Sequence, residues 1–131
     1  MATELAVLLE DRPGTLARLT GVLGDAGVNV EAILGLSQEG RSLVRFVPRD
    51  ADTAARALAA AGIAHSRREV LIVRVLDAPG TLGEVALVMA HAGINIDSVY
   101  VTTRGHLVLG VSDLAGAIQV AGGMAVTAFD D

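Results

Sequence analysis

The chain has 131 residues, of which 52% are apolar, 2% aromatic and 19% charged, with no cysteine and a formal charge of −5. The missing sulfur excludes disulfide scaffolds and cysteine-bound zinc, and the apolar share excludes disorder. The acidic balance and the scarcity of aromatic rings work against a phosphate backbone or stacked bases. Arg67-Arg68 therefore reads first as a solvated loop, with a local basic patch as the alternative. Mean hydropathy is +0.54, but the longest uncharged stretch, residues 114–129, contains Gln119, Gly116, Gly122 and Gly123. It falls short of the roughly 18–20 apolar residues of a membrane span. Met1-Ala2-Thr3-Glu4 has no basic region followed by an apolar block, so no signal peptide is read. A soluble cytoplasmic protein that binds neither membrane nor nucleic acid is the expectation.

The chain reads as two copies of one pattern. Asp11-Arg12-Pro13-Gly14-Thr15-Leu16 recurs 66 residues later as Asp77-Ala78-Pro79-Gly80-Thr81-Leu82, and the same offset aligns Gly27 and Asn29 with Gly93 and Asn95. Repetition at half the chain length marks a duplicated unit, divided here into residues 1–68 and 69–131.

In chain order, residues 5–9 form an aliphatic strand stopped by the Asp-x-Pro-Gly breaker. Leu16, Leu19, Leu23 and Ala26 share one face of a helix that Pro13 opens and Gly27 closes. Strands over 28–36 and 42–47 turn near Glu39-Gly40, and a second helix starts near Asp50 or Asp52 and runs through Ala61. A short strand around 64–68 ends the first copy, and a new one over 70–76 opens the second. The next helix has Leu82, Val85, Met89 and Ala92 on one face, with Leu87 and Val88 added to its core side. Strands over 94–102 and 106–111 with a turn near Arg104-Gly105, a helix from near Asp113 through Ala121 and a strand over 125–129 complete the chain.

The order strand-helix-strand-strand-helix-strand, twice, predicts an α/β (α+β) fold of two tandem ferredoxin-like βαββαβ units, each an antiparallel sheet with helices on one face. Val70-Leu71-Ile72-Val73 is apolar towards both faces, so the open face is expected to be covered by another sheet or subunit. Together with the nearly all-apolar helix over 82–92, this points to a homo-oligomer, a homodimer in its simplest form.

At the Asp-x-Pro-Gly junction a strand ends and a helix begins, leaving N–H groups near Gly14 to Leu16 and Gly80 to Leu82 without helical partners. These donors favour an anion, Gly14 and Gly80 admit a ligand to the backbone, and Asp11 and Asp77 offer a carboxylate to an ammonium. A zwitterion such as a free amino acid satisfies both halves. The alternative is that each Asp is simply a helix N-cap. Asn29 and Asn95 either bond local backbone at the strand start or face a ligand or interface.

These residues carry a resemblance. An aliphatic strand, Asp-x-Pro-Gly-x-Leu, an amphipathic helix and Gly-(Val/Ile)-Asn-(Val/Ile) are together similar to the ACT domain, a small-molecule regulatory module, and their double occurrence resembles tandem-ACT proteins of the amino-acid-binding type. The resemblance implies two ACT units joined side by side through the edge strands after Gly27 and Gly93, with a free amino acid in the crevice between paired units. By position it implies ligand binding by Asp11, Arg12, Gly14, Thr15 and Leu16 with Asn95, and by Asp77, Gly80, Thr81 and Leu82 with Asn29. The position two before the Asp, often polar in related modules, is Leu9 or Val75 here, and Arg12 against Ala78 makes the two crevices unequal.

Catalysis finds no support in the sequence: there is no cysteine nucleophile, no Gly-x-Ser-x-Gly elbow and no phosphate loop. His65, His91 and His106 lie on three different elements without metal-ligand spacing, and Ser37, Ser42 and Ser98 have no evident base partner. The expectation is a non-catalytic regulatory or sensor protein without cofactor or metal. The alternative is a regulatory subunit or scaffold acting through protein contacts with a metabolic enzyme.

Overall fold

In the computed structural model, which describes residues 2–126, the chain divides into two compact units, residues 3–68 and residues 69 onward with Ala2. The first contains β1 (Ala2–Glu10), α1 (Thr15–Asp25), β2 (Val30–Gln38), β3 (Arg41–Pro48), α2 (Ala51–Ala60) and the start of β4 (Ser66–Val73). Strand order is β2-β3-β1-β4, and β3 pairs antiparallel with both β1 and β2. A two-residue turn joins β2 to β3, with Glu39 at φ 54° and Gly40 at φ 78°, the positive angles that suit the twist of a hairpin.

Alternation along the strands selects the core face. Leu5 and Val7 of β1 join Val44 and Phe46 of β3 beneath Leu19 and Leu23 of α1 and Ala54 and Leu58 of α2, so both helices cover the same face. Asp50 caps α2 by accepting from the Thr53 N–H at 3.0 Å and the Thr53 hydroxyl at 2.7 Å. Those two bonds hold its carboxyl below the usual carboxylate range.

The second unit repeats this plan with the rest of β4, α3 (Thr81–His91), β5 (Ile96–Val101), β6 (Leu107–Val111), α4 (Leu114–Ala121) and, after a 3-10 turn at Gly122–Met124, β7 (Ala125–Val126). Its strand order is β5-β6-β4, with β7 on the other side of β4. The cores correspond position by position. Leu71, Val73, Val85, Met89 and Ile94 stand 66 residues after Leu5, Val7, Leu19, Leu23 and Val28, whereas Leu107, Leu109, Ala117 and Ala121 stand 63 after Val44, Phe46, Ala54 and Leu58. Three residues are thus missing from the second hairpin.

Several expectations need correction. The strands placed at 64–68 and 70–76 are one strand, β4 (Ser66–Val73), because no Gly or Pro interrupts the run until Pro79, and residues 74–76 lie outside it. Leu16 and Leu82, expected on the buried helix faces, are each 50% exposed in the first turns of their helices. Leu87 and Val88 are exposed as well, since Val85 and Met89 alone face the core. Val70 to Val73 are all buried within the chain, so their apolar character does not by itself call for a second chain. Of the strand expected over 125–129, β7 covers the first two residues, and the remainder lies outside the described residues. The strands after Gly27 and Gly93, β2 and β5, are edge strands as expected, pairing with β3 and β6 respectively. Among the described residues no helix is long and apolar enough to cross a membrane.

Candidate functional site

The Asp-x-Pro-Gly loop has the same geometry in both copies. Gly14 and Gly80 stand at the N-cap positions of α1 and α3 with φ of 93° and 91°, and no side chain caps either helix. A Cβ built on either glycine would meet nothing within 4 Å, so the glycines serve the left-handed backbone and not a tight fit. The N-cap reading of Asp11 and Asp77 is therefore overturned: the left-handed glycine starts each helix at the following threonine, four residues beyond the Asp, too far for a cap bond. Both carboxylates are exposed beside an uncapped helix start.

Threonine holds the loop. The Thr15 hydroxyl donates to the carbonyls of Glu10 at 2.8 Å and Arg12 at 3.1 Å, and Thr81 repeats this to Leu76 and Ala78 at 2.8 and 3.1 Å. With the hydroxyl proton so engaged, a ligand can meet these oxygens only as acceptors. In the first copy the Asp11 N–H also donates to Gly40 at 3.0 Å, fixing the loop to the hairpin tip.

In the first unit this loop walls a groove of about 420 Å³. Asp11, Arg12, Thr15 and Leu16 form one side, and Leu9, Ile33, Gly35, Ser37, Ser42 and Val44 of the sheet form the other. Ser42 stands opposite both Leu9 and Ser37 in the strand register, which places the three side chains on one face at the end of the hairpin. The groove thus combines a carboxylate, a guanidinium, hydroxyl groups and an apolar floor. Ser37 and Ser42, which have no evident base partner in the sequence, lie in the lining of this groove. Their symmetric placement about the Glu39-Gly40 turn was the available signal.

Arg12 Nε lies 2.7 Å from Glu10 Oε2. That hydrogen bond and the adjacent positive charge hold the Glu10 carboxyl below its ordinary value of 4.5. The pair's contribution is present above that value and fades as pH falls through the lowered one, and at this exposure it is small. Arg12 also borders a second cavity of about 410 Å³ on the far side of β1, where Arg18 Nη2 donates to the Ala61 carbonyl at 2.7 Å. The second unit has a cavity of about 360 Å³ at the matching place, with Glu84 where the first has Arg18.

Asn29 lies away from this groove, just before β2. Its side chain donates to Glu31 Oε1 at 3.2 Å, and its carbonyl accepts from the Arg49 N–H at 2.9 Å. Glu31 is buried and pairs with Arg49 Nε at 3.1 Å, a partnership that the sequence reading missed. Asn95 uses its backbone, its N–H donating to the Ser112 hydroxyl at 3.0 Å and its carbonyl accepting from the Ser112 N–H at 2.9 Å. Leu82 is exposed beside Thr81 at the start of α3. Among the described residues no cluster of His, Asp or Glu side chains has the arrangement of a metal site.

Residues 3–63 match the family model of the ACT domain. Among solved structures, protein BT0572 from Bacteroides thetaiotaomicron is similar at 24% identity and a TM-score of 0.84, over 91% of this chain and 85% of that one. The ligand-free regulatory subunit of aspartate kinase from Thermus thermophilus is similar at 19% identity and a TM-score of 0.68, over 91% and 89% of the two chains. The corresponding subunit from Thermus flavus reaches 18% identity and a TM-score of 0.63, over 92% and 91%. At these identities the likeness is one of fold. No curated protein matches this chain.

Proposed function

We propose that this is a non-catalytic regulatory protein that binds a free amino acid, and that both of its units are ACT domains. The observation that carries this reading is the groove at the first Asp-x-Pro-Gly loop. It sets Asp11 and Arg12 side by side over an apolar floor, within the segment that matches the ACT domain. An ammonium is matched by Asp11, and a carboxylate by the guanidinium of Arg12 and the uncapped N–H groups of α1. The volume of about 420 Å³ lies in the range of about 300–1,000 Å³ usual for small-ligand sites. A ligand role for Asp77, Gly80, Thr81 and Leu82, which hold the matching places in the second copy, rests on the repeat alone. The further pairing of each loop with the other copy's Asn29 or Asn95, and the homodimer, rest on the resemblance alone.

A screen of the twenty standard amino acids at millimolar concentration, read by thermal shift and calorimetry, tests the reading. At least one is expected to raise the melting temperature, and Asp11→Asn is expected to weaken that ligand at least tenfold by removing the ammonium partner. No response from well-folded protein would remove the proposal.

The second reading, a subunit acting through protein contacts with a metabolic enzyme, is favoured by one surface. Leu8, Leu43 and Leu36 stand in register across β1, β3 and β2 on the face away from the helices, and all three are exposed. An apolar row of this kind suits a protein partner. Copurification of a larger enzyme, abolished by Leu36→Asp, would support it.

A further inference from the structure

Resting on the amino-acid reading above, we propose that the two copies are not equivalent: the first is the sole ligand site of the chain, and it selects an amino acid with an uncharged, hydrogen-bonding side chain.

The two hairpins differ in length. In the first unit the pair Gly35 and Val44 is followed outward by the pair Ser37 and Ser42, before the turn. In the second unit Val101 and Leu107 hold the places of Gly35 and Val44. There the chain turns back at once, with the Thr102 N–H donating to the His106 carbonyl at 2.8 Å and the Gly105 N–H to the Thr102 carbonyl at 3.0 Å. Eight residues, 36–43, lie beyond the first pair, but only five, 102–106, beyond the second. The shortening removes the rung that carries both serines.

Two more differences fall on the same groove. At Gly35 the floor is bare backbone, and a Cβ built there would lie 3.8 Å from Val44 Cγ2, an ordinary contact. The second copy instead raises a Val101 side chain that is 56% exposed. Arg12 is replaced by Ala78, which removes the guanidinium. The second copy keeps the loop, its threonine, its aspartate and its uncapped helix start, but has neither the guanidinium nor the hydroxyl rung.

The lining also defines the guest. Arg12 and Asp11 are the charged groups on the wall of the groove, and a zwitterion's carboxylate and ammonium match both. Arg12 gives its Nε to Glu10, and a guanidinium carries four further N–H donors on its other two nitrogens. A third charge on the ligand would find no counter-ion in the lining. Ser37 and Ser42 can both donate and accept, so a hydroxyl or carboxamide side chain gains bonds that an aliphatic one does not.

Titration calorimetry on the full chain, with serine, threonine, asparagine, glutamine, valine, leucine, lysine and aspartate as probes, tests this. Expected are one ligand per chain and at least tenfold tighter binding of one of the first four probes than of the others. Arg12→Ala and Gly35→Val, which write the second copy's residues into the first, should each weaken binding at least tenfold with circular dichroism unchanged. Ser37→Ala together with Ser42→Ala should erase the preference while leaving weak binding. Two ligands per chain would overturn the inequality and leave the amino-acid reading standing. Preference for an aliphatic or charged probe would overturn the selectivity. One ligand per chain that is indifferent to Arg12→Ala and, with the fold intact, to Gly35→Val would move the site elsewhere. No heat with any amino acid would remove the underlying reading itself.

Discussion

Phe46→Ala is expected to lose about 3–5 kcal/mol of stability, the usual cost of emptying an aromatic side chain's place in a packed core. Phe46 is fully buried on β3, packed with Leu5, Leu19 and Leu58 in one cluster, so no solvent can fill the gap. Domains of this size are stable by about 5–15 kcal/mol, so the loss is a large fraction of the total. The corresponding change in the second unit, Leu109→Ala, should cost about 2–5 kcal/mol, because Leu109 holds the same place with a smaller side chain. Urea unfolding gives both values as shifts of the midpoint. A loss below about 1 kcal/mol at either position would contradict the assignment of these residues to the core.

Arg45→Met should cost about 3 kcal/mol for an electrostatic reason. The Glu4 side chain is 0% exposed, with Arg45 Nη1 at 2.9 Å and Arg68 Nε at 3.7 Å from Oε1. Burying a carboxylate is tolerable only while cations answer it. Removing the nearer one leaves the buried charge less well compensated, and because Arg45 is itself 30% exposed the loss falls at the low end of the range for broken buried pairs. Adding Glu4→Met should restore most of the stability, since an apolar pair of similar volume needs no compensation. The double-mutant cycle is thus expected to be strongly non-additive. Simple additivity would show that Arg45 contributes by packing and not by charge.

Much of the fold was legible because duplication doubles the signal. The breaker, the helix register and the Gly-Val-Asn and Gly-Ile-Asn returns each occur twice, and one copy disciplines the reading of the other. Asp50 and Asp113 were recognisable as helix starts because each cap lies within three residues of the N–H it accepts, at Thr53 and Gly116. What failed is what adjacent sequence does not fix. The strands expected at 64–68 and 70–76 run together as β4, and a run without Gly or Pro carries no punctuation. The outward face of α3 misled for a related reason: apolar residues around a whole helix give no moment from which to choose a side.

The proposed site was legible in part: Asp11, Arg12, Thr15 and Leu16 line one groove, and Gly14 has a backbone role beside the ligand access expected of it. At φ 93° the requirement on Gly14 is conformational, so Gly14→Val strains the backbone and tests stability before it tests binding. Ser37, Ser42 and Gly35 escaped because they come from the hairpin, more than twenty positions from the loop, and only strand register brings them beside it. The buried Glu4 and Glu31 escaped because an isolated acidic residue in a strand looks solvent-facing until its arginine partner is located.

A heteronuclear NMR titration of the full chain with the best-responding amino acid tests the central claim most directly. The account predicts saturable shifts concentrated at the amides of Asp11, Arg12, Thr15, Leu16, Ser37 and Ser42, with the matching residues Asp77, Ala78, Thr81 and Leu82 unmoved. Saturable shifts centred elsewhere in the chain, or none at millimolar ligand, would contradict it.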